Sequence, residues 1–224
     1  MSRATLVRSI ERYRETWPEE SETTNRFIEF VSKNPDCFER SLAIGHVTGS
    51  AWIVHPSKPS ILLTHHRKLK SWFQLGGHAD GDEKPARVAL NEAIEESGIP
   101  DFELLSEDIF DIDIHLIPAR KNEPEHYHYD LRYLLRPIGS EQLVVSQESL
   151  DLQWVELSKL ENYTTESSML RMAKKWIQKK DESIRSASRR SAGSGSPAAA
   201  SKPQPVEEYS SEPNSSTQPP RPRP

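Results

Sequence analysis

Apolar residues recur at helical spacing near the start of the chain. One stripe with the spacing i, i+4, i+7 and i+11 consists of Leu6, Ile10, Tyr13 and Trp17. Pro18 ends this helix, and a second helix is expected around residues 27–31, stopping before Pro35. We therefore predict an N-terminal helical segment, residues 1–40, that packs either on its own domain or against a partner subunit.

Strand patterns begin near residue 42 and continue over much of the chain. They cover residues 46–54, 60–65, 72–75, 109–117, 126–135 and 152–157. A helix is expected between them, after Pro85, and a last helix at residues 166–180. The apolar stripe of the last helix is predicted to be Met169, Leu170, Ala173, Trp176 and Ile177. Strands on both sides of a central helix predict a layered α/β domain over residues 41–180.

The composition changes near Asp181. From there the chain is rich in Ser, Pro and Ala and has almost no large apolar residues, so it cannot bury enough surface to offset the entropy of ordering. We predict a disordered tail, residues 181–224. The closing sequence Pro-Pro-Arg-Pro-Arg-Pro could dock on a groove that binds proline-rich segments, but an unstructured solubilising tail is favoured for so short a pattern.

Three carboxylates lie on one face of the central helix. Glu92, Glu95 and Glu96 have the spacing i, i+3 and i+4, so they are neighbours on the helix surface and repel one another. They also lie in the last turns, where the helix dipole disfavours negative charge. A bound cation would neutralise them, and hard cations such as Mg²⁺ prefer carboxylate oxygens. The pattern therefore indicates a divalent-metal site.

The boundaries of this helix are also readable. Pro85 is typical of a first helical position, and Gly98 is typical of a C-terminal cap. Glu83 then lies in the preceding loop, which can bend tightly because of Gly76, Gly77 and Gly81. An ordinary acidic surface helix is the alternative interpretation, and the fixed spacing of the carboxylates argues against it.

This stretch resembles the Nudix box, G-x5-E-x7-R-E-U-x-E-E-x-G-U, where U is a bulky aliphatic residue. The positions that match in register are Gly77, Glu83, Glu92, Glu95, Glu96, Gly98 and Ile99. Asn91 stands where the family has Arg, and Ala93 is small for an aliphatic position. The resemblance to this MutT-like family implies an α/β/α sandwich with a mixed β-sheet and the box helix packed on one side.

The resemblance also implies an activity. Gly77, through its carbonyl, and Glu92, Glu95 and Glu96 would bind Mg²⁺, with Mn²⁺ as an alternative ion. The expected reaction is hydrolysis of a diphosphate bond in a nucleoside diphosphate linked to another moiety. A catalytically weak nucleotide-binding module and a diphosphate isomerase are the alternatives, because fold does not fix function. Asn91 puts the rate in question, and Arg87, one turn earlier, is a candidate replacement for the missing arginine.

A second group of polar residues follows period two near residue 130. His126, His128, Asp130 and Arg132 share one face of a predicted strand. Two histidines and an aspartate can bind a transition metal, but no further spaced ligand set supports zinc here, and a cleft-lining face is favoured. We therefore predict that His126, His128 and Arg132, together with His78 of the box, contact the substrate.

Loops on either side of the box supply further candidates. Arg67 and Lys68 belong to a basic run before the box and can bind phosphate oxygens. The family's general base often comes from a loop outside the box, and Glu125 is the candidate here, with Glu123 second. Solvated loop residues are the alternative in each case.

Composition limits the classes of partner. The net charge of −5 and pI near 5.9 argue against a protein that binds extended nucleic acid. The single cysteine, Cys37, rules out an internal disulfide and is consistent with the reducing cytoplasm. No apolar run is long enough to span a membrane. A small nucleoside diphosphate derivative is the expected partner, and a second copy of the chain, forming a homodimer, is a further candidate.

Overall fold

Two β-sheets and four α-helices make up the computed structural model, which describes residues 2–120 and 123–193. The α-helices are α1 (Arg3–Thr16), α2 (Ser21–Lys33), α3 (Pro85–Ser97) and α4 (Ser167–Gly193). The strands are β1 (Gly45–Ile53), β2 (Ser60–His66), β3 (Trp72–Phe73), β4 (Leu75–His78), β5 (Phe102–Leu104), β6 (Asp111–Ile117), β7 (His126–Pro137) and β8 (Ser149–Glu156). Short 3-10 helices cover Pro18–Glu20 and Leu157–Asn162.

The larger sheet is mixed. Its strands follow the order β4-β1-β7-β5, and β6 pairs with the other half of the same edge of β7. Strands β1 and β7 run parallel over nine residue pairs, while the other pairs are antiparallel. The smaller sheet is antiparallel, with the order β3-β2-β8. The predicted α/β class with a mixed sheet is confirmed, and β5 is a strand that the sequence pattern did not indicate.

The N-terminal helices pack on the larger sheet of the same chain. Phe30 of α2 stacks on Tyr129 of β7, with 3.7 Å between ring centroids, and Phe27 meets the same ring edge-on. The stripe residues Leu6 and Ile10 of α1 are fully buried in this core. The described residues up to 181 belong to one compact unit, and those from 182 to 193 belong to a second.

Helix α3 begins and ends where the sequence predicts. Pro85 is its first residue, and Gly98 caps it in the left-handed conformation (φ 71°), with its N–H bound to the carbonyl of Ile94. Its apolar face packs on the larger sheet so closely that a side chain at Gly49 of β1 would come within 2.5 Å of the Pro85 carbonyl oxygen. This contact fixes the box helix against β1 and β4.

Helix α4 differs from the prediction in two ways. Ile177 is 49% exposed, and Lys175 is buried instead, because its ammonium binds the carboxylate of Asp111. The helix also continues beyond residue 180 to Gly193, since no proline or glycine interrupts this polar, Ala- and Arg-containing segment. The remainder of the predicted tail, residues 194–224, lies outside the described residues. None of the described helices is long and apolar enough to cross a membrane.

Candidate active site

The box glycine and the first box glutamate are in close contact. A Cβ atom added to Gly77 would lie 2.2 Å from Oε1 of Glu92, so only glycine allows this carboxylate to lie against β4. Burial raises the pKa of Glu92 to about 7, and the charges of Glu95 and Glu148 contribute in the same direction. The strand and helix thus hold Glu92 in a position where it retains its proton more readily than an exposed glutamate does.

Glu96 is held by the backbone of the same strand. The N–H of Gly76 donates a hydrogen bond of 2.9 Å to its Oε1. Burial nevertheless raises the pKa of Glu96 to about 8, and the negative charge of Glu92 adds to this effect. One hydrogen bond therefore does not compensate for removing the carboxylate from water beside a second carboxylate.

The described side chains place no cation in direct contact with these carboxylates. Glu95 is exposed, and no lysine or arginine among the described side chains forms an ion pair with Glu92, Glu95 or Glu96. Two partly buried, repelling carboxylates beside strand glycines match the oxygen-donor chemistry of a hard divalent cation. These residues therefore fit the metal that the box resemblance implies.

The loop between β4 and α3 is held from the N-terminal side. Asp80 and Gly81 both have positive φ values, 46° and 85°, which makes a tight turn. Arg40 binds both carboxylate oxygens of Asp80, and its charge lowers the pKa of the nearby Glu92. A cation from the segment before β1 thus lies beside the box, which the sequence reasoning did not anticipate.

Arg87 does not take the place of the missing box arginine. Its guanidinium makes two 2.6 Å hydrogen bonds to Asp82, which ties the loop to the first turn of α3. Asn91, at the family's arginine position, is exposed. Arg87 therefore pairs with Asp82 and not with the box glutamates. A second ion pair, Arg40 with Asp80, also holds the loop.

One face of the larger sheet is polar where β1, β4, β6 and β7 meet. The strand register aligns three rows across it: His46, His128 and His115; His78, Thr48, Asp130 and Asp113; and Gly76, Ser50, Arg132 and Asp111. Because side chains alternate along a strand, each row shares the same face. The structure thus brings the predicted substrate residues His78, His126 and His128 to one face.

Arg132 is occupied by carboxylates. Its guanidinium binds Asp130 (2.7 Å), Asp111 (3.1 Å) and Asp113 (3.2 Å), and it is buried. Thr48 also donates a hydrogen bond of 2.8 Å to Asp130. Arg132 therefore partly neutralises the three aspartates of the polar face. Its guanidinium is engaged by them and not free for the predicted contact with substrate.

The remaining predicted residues are on loops. Arg67 donates hydrogen bonds of 2.8 Å to the backbone carbonyls of Gln147 and Ser149, so its guanidinium joins the β2–β3 turn to the start of β8. Lys68 and Glu125 are exposed. Their roles in phosphate binding and base catalysis remain predictions.

The sequence analysis did not identify two residues that lie near the site. Glu148, in the segment before β8, is close enough that its charge raises the pKa of both Glu92 and Glu96. His46 of β1 packs against His78 and His128. Neither lies within a recognisable motif, and only strand pairing brings them to the box.

Comparisons with known proteins bear on this arrangement. Residues 46–176 match a family model described as the NUDIX domain. None of the curated proteins matches the chain. A C. elegans Ap4A hydrolase binary complex is 18% identical with a TM-score of 0.49, covering 59% of this chain and 95% of that chain.

Two further solved structures are similar to part of the chain. A NUDIX-family hydrolase from Clostridium perfringens is 26% identical with a TM-score of 0.44, over 58% of this chain and 95% of that one. The NUDIX domain of Shewanella oneidensis NrtR complexed with ADP ribose is 14% identical with a TM-score of 0.44, over 67% and 96%. The family match covers more than half of the chain and includes the whole box. The chain therefore belongs to the Nudix family and is a Nudix-type hydrolase.

Proposed function

We propose that the protein hydrolyses a diphosphate bond in a nucleoside diphosphate linked to another moiety, in a reaction that depends on Mg²⁺, or alternatively Mn²⁺. One observation supports this most strongly. Glu92 and Glu96 lie partly buried together against the glycines of β4, have raised pKa values, and form no ion pair with a lysine or arginine among the described side chains. Such a pair is unfavourable for folding alone and favourable for binding a divalent cation, which can in turn bind the oxygens of a diphosphate.

Glu92, Glu95, Glu96 and the carbonyl of Gly77 would hold the metal. A divalent cation bound there would neutralise phosphate oxygens and activate water. The chain contributes positioning. The Gly76 N–H fixes one oxygen of Glu96, and the missing side chain of Gly77 leaves room for Glu92.

The loop ion pairs would keep this arrangement rigid. Arg40 and Arg87 each bind an aspartate of the β4–α3 loop through two hydrogen bonds. A loop fixed at both sides limits the motion of the Gly77 carbonyl relative to α3. Preorganised donors and charges of this kind account for much of the catalysis in phosphoryl transfer.

The single cysteine bears on the compartment. Cys37 is buried and free, and burial raises the pKa of its thiol to about 11, which is consistent with a packing role and a reducing cytoplasm.

Two carboxylates outside the box are candidates for the general base. Glu125 was predicted from its loop, whereas Glu148 is close enough to Glu92 and Glu96 to raise their pKa values. A base must reach the attacking water beside the metal ligands. We therefore place Glu148 before Glu125 in this role.

Matched glutamine variants separate the two candidates. Glu148→Gln is expected to reduce kcat by about a hundred-fold with little change in KM, as for loss of general base catalysis. Glu125→Gln is expected to stay within about threefold of the parent protein, since Glu125 is not among the main charges that shift the pKa of Glu92 or Glu96. Steady-state kinetics at saturating Mg²⁺ measures both. The reverse ranking would assign the base to Glu125.

The activity itself is tested with the full chain and a panel of nucleoside diphosphate sugars, dinucleotides and other nucleoside diphosphate derivatives. In ¹⁸O-labelled water, mass spectrometry of the products shows which phosphorus is attacked. We expect Mg²⁺-dependent release of two phosphomonoesters and incorporation of one labelled oxygen. A folded protein that hydrolyses no member of the panel with Mg²⁺ or Mn²⁺ would refute the proposal.

A further inference from the structure

Three histidines from separate strands converge beside β4. The ligand nitrogens of His46, His78 and His128 lie within 4.8 Å of one another. His46 and His128 face each other because β1 and β7 pair in parallel, and His78 is two positions along the same face, opposite Thr48. The ring centroids of the three pairs are 4.9 to 5.1 Å apart. We call these residues the histidine triad.

The triad is separate from the carboxylates of the box. Gly77 faces α3, as its contact with Glu92 shows, and His78 follows it directly in the strand. Successive residues of a strand point to opposite faces. The triad therefore lies on the polar face of the sheet, and the box glutamates lie on the helix side of β4.

His46 is the most informative member. It is 1% exposed, and neither of its ring nitrogens has a hydrogen-bond partner among the described residues. Buried imidazoles normally bond through at least one nitrogen, because an unsatisfied buried polar group is destabilising. A nitrogen lone pair that points into a group of other imidazoles is explained if the partner is a cation.

The imidazoles are in the state that binds metals. Burial lowers the pKa of His46 to about 4, and burial also lowers the pKa of His128 far below the ordinary value for histidine. Both rings are therefore neutral at pH 7 and carry a free lone pair. Metal binding requires neutral imidazole, so no proton has to be displaced.

His126 supports the same interpretation from the next position along the face. Its Nδ1 lies 2.8 Å from the carbonyl oxygen of Pro124, which can only accept, so Nδ1 carries a proton and, in a neutral ring, the lone pair is on Nε2. This Nε2 lies 3.3 Å from Nε2 of His128. Histidines that bind metals are commonly oriented by a backbone carbonyl at the other nitrogen. His126 is thus either a fourth ligand or the residue that orients His128.

We propose that the histidine triad binds a divalent transition cation, with Zn²⁺ as the reference ion. Neutral imidazoles without a carboxylate among them favour Zn²⁺, Co²⁺ or Ni²⁺ over Mg²⁺. In a tetrahedral Zn²⁺ site with Zn–N distances near 2.0–2.1 Å, ligand nitrogens are about 3.3 Å apart. The present separations, at most 4.8 Å, exceed that value by no more than about 1.5 Å.

The test uses the full chain, stripped of metal with a chelator and titrated with Zn²⁺ against a chromophoric competitor at saturating Mg²⁺. We expect one equivalent of Zn²⁺ to bind. His46→Phe and His128→Phe keep a ring in the site but remove the ligand nitrogens, and each is expected to weaken binding by at least about a hundred-fold. Co²⁺ in place of Zn²⁺ should give a visible absorption band that both variants lack.

Two controls distinguish this site from the box. His65→Phe alters a histidine on β2 that stacks on Trp72, and it should bind Zn²⁺ as the parent protein does. Glu96→Gln alters the box and should also bind one equivalent of Zn²⁺, even if it abolishes hydrolysis. Circular dichroism and melting curves verify that each variant folds. Binding that is unchanged in His46→Phe and His128→Phe, or lost in Glu96→Gln, would overturn the proposal, as would a parent protein that binds no Zn²⁺.

Discussion

Replacing Glu96 with glutamine is expected to lower the Mg²⁺-dependent rate of hydrolysis by at least about a hundred-fold. The change removes a ligand charge but almost no volume, and the amide can still accept the Gly76 N–H bond that holds this side chain. The loss should therefore appear in catalysis and in Mg²⁺ affinity without loss of the fold. Steady-state kinetics and calorimetric titration with Mg²⁺ measure the two effects.

The same variant should be more stable than the parent protein when both are free of metal. The folded-state pKa of Glu96 is about 8, above the ordinary 4.5, so folding favours the protonated carboxyl. Its contribution to stability is present below pH 4.5 and is lost as the pH rises through 8. Glu96→Gln should thus stabilise the metal-free protein at pH 9, by at most about 5 kcal/mol at about 1.36 kcal/mol per pKa unit, and by much less at pH 5.

A suitable control is Glu156→Gln, which alters an exposed carboxylate paired with Lys159 at 3.0 Å. It should leave both the rate and the pH dependence of unfolding unchanged, because exposed ion pairs contribute little. Near-parental activity of Glu96→Gln at limiting Mg²⁺ would remove Glu96 from the metal site.

The largest loss of stability is expected for Asp111→Ala. Asp111 is fully buried, and its carboxylate binds Arg132 at 3.1 Å, Arg171 at 2.7 Å and Lys175 at 2.7 Å. Removing one partner of a buried ion pair costs about 3–5 kcal/mol, because the remaining charges stay buried without compensation. Urea unfolding monitored by tryptophan fluorescence should therefore show a large decrease in the midpoint.

Asp108→Ala is the matched control for this prediction. Asp108 precedes the same strand, is exposed and meets Arg12 at only 3.7 Å. Its loss should change the free energy of unfolding by less than about 0.5 kcal/mol. If Asp111→Ala unfolds at the same urea concentration as Asp108→Ala, the buried charges do not hold α4 to the sheet.

Local patterns predicted the elements that have strong local signals. Pro85 and Gly98 mark the ends of α3 because capping chemistry acts within one helical turn. The carboxylate spacing and the box glycines likewise belong to one short stretch. Strand β5 was missed since three residues, Phe102–Leu104, carry too little period-two pattern, and the buried Lys175 was missed because its partner is on another element.

The parts of the site that escaped prediction depend on strand pairing. His46 meets His128 only because β1 and β7 pair in a particular register, and no spacing along the chain records this. Glu148 comes near the box because β8 pairs with β2 in the second sheet. The sequence around a polar strand residue does not indicate which residue of the neighbouring strand pairs with it. Sequence alone could therefore place His128 on a face of its strand but not identify His46 as its neighbour.

The contacts that the N-terminal helices make with the sheet and with α4 determine where a functional fragment of the protein can begin. The family match begins at residue 46. Tyr13 and Glu20 nevertheless contact Lys175, Phe30 covers Tyr129, and Arg40 clamps the box loop. A recombinant piece cut at the family boundary would expose Tyr129 of the sheet to water and would remove the ion pair of Arg40 with Asp80 that helps to hold the box loop. We therefore expect the smallest fragment that folds and retains activity to be longer than the family match and to include the N-terminal helices.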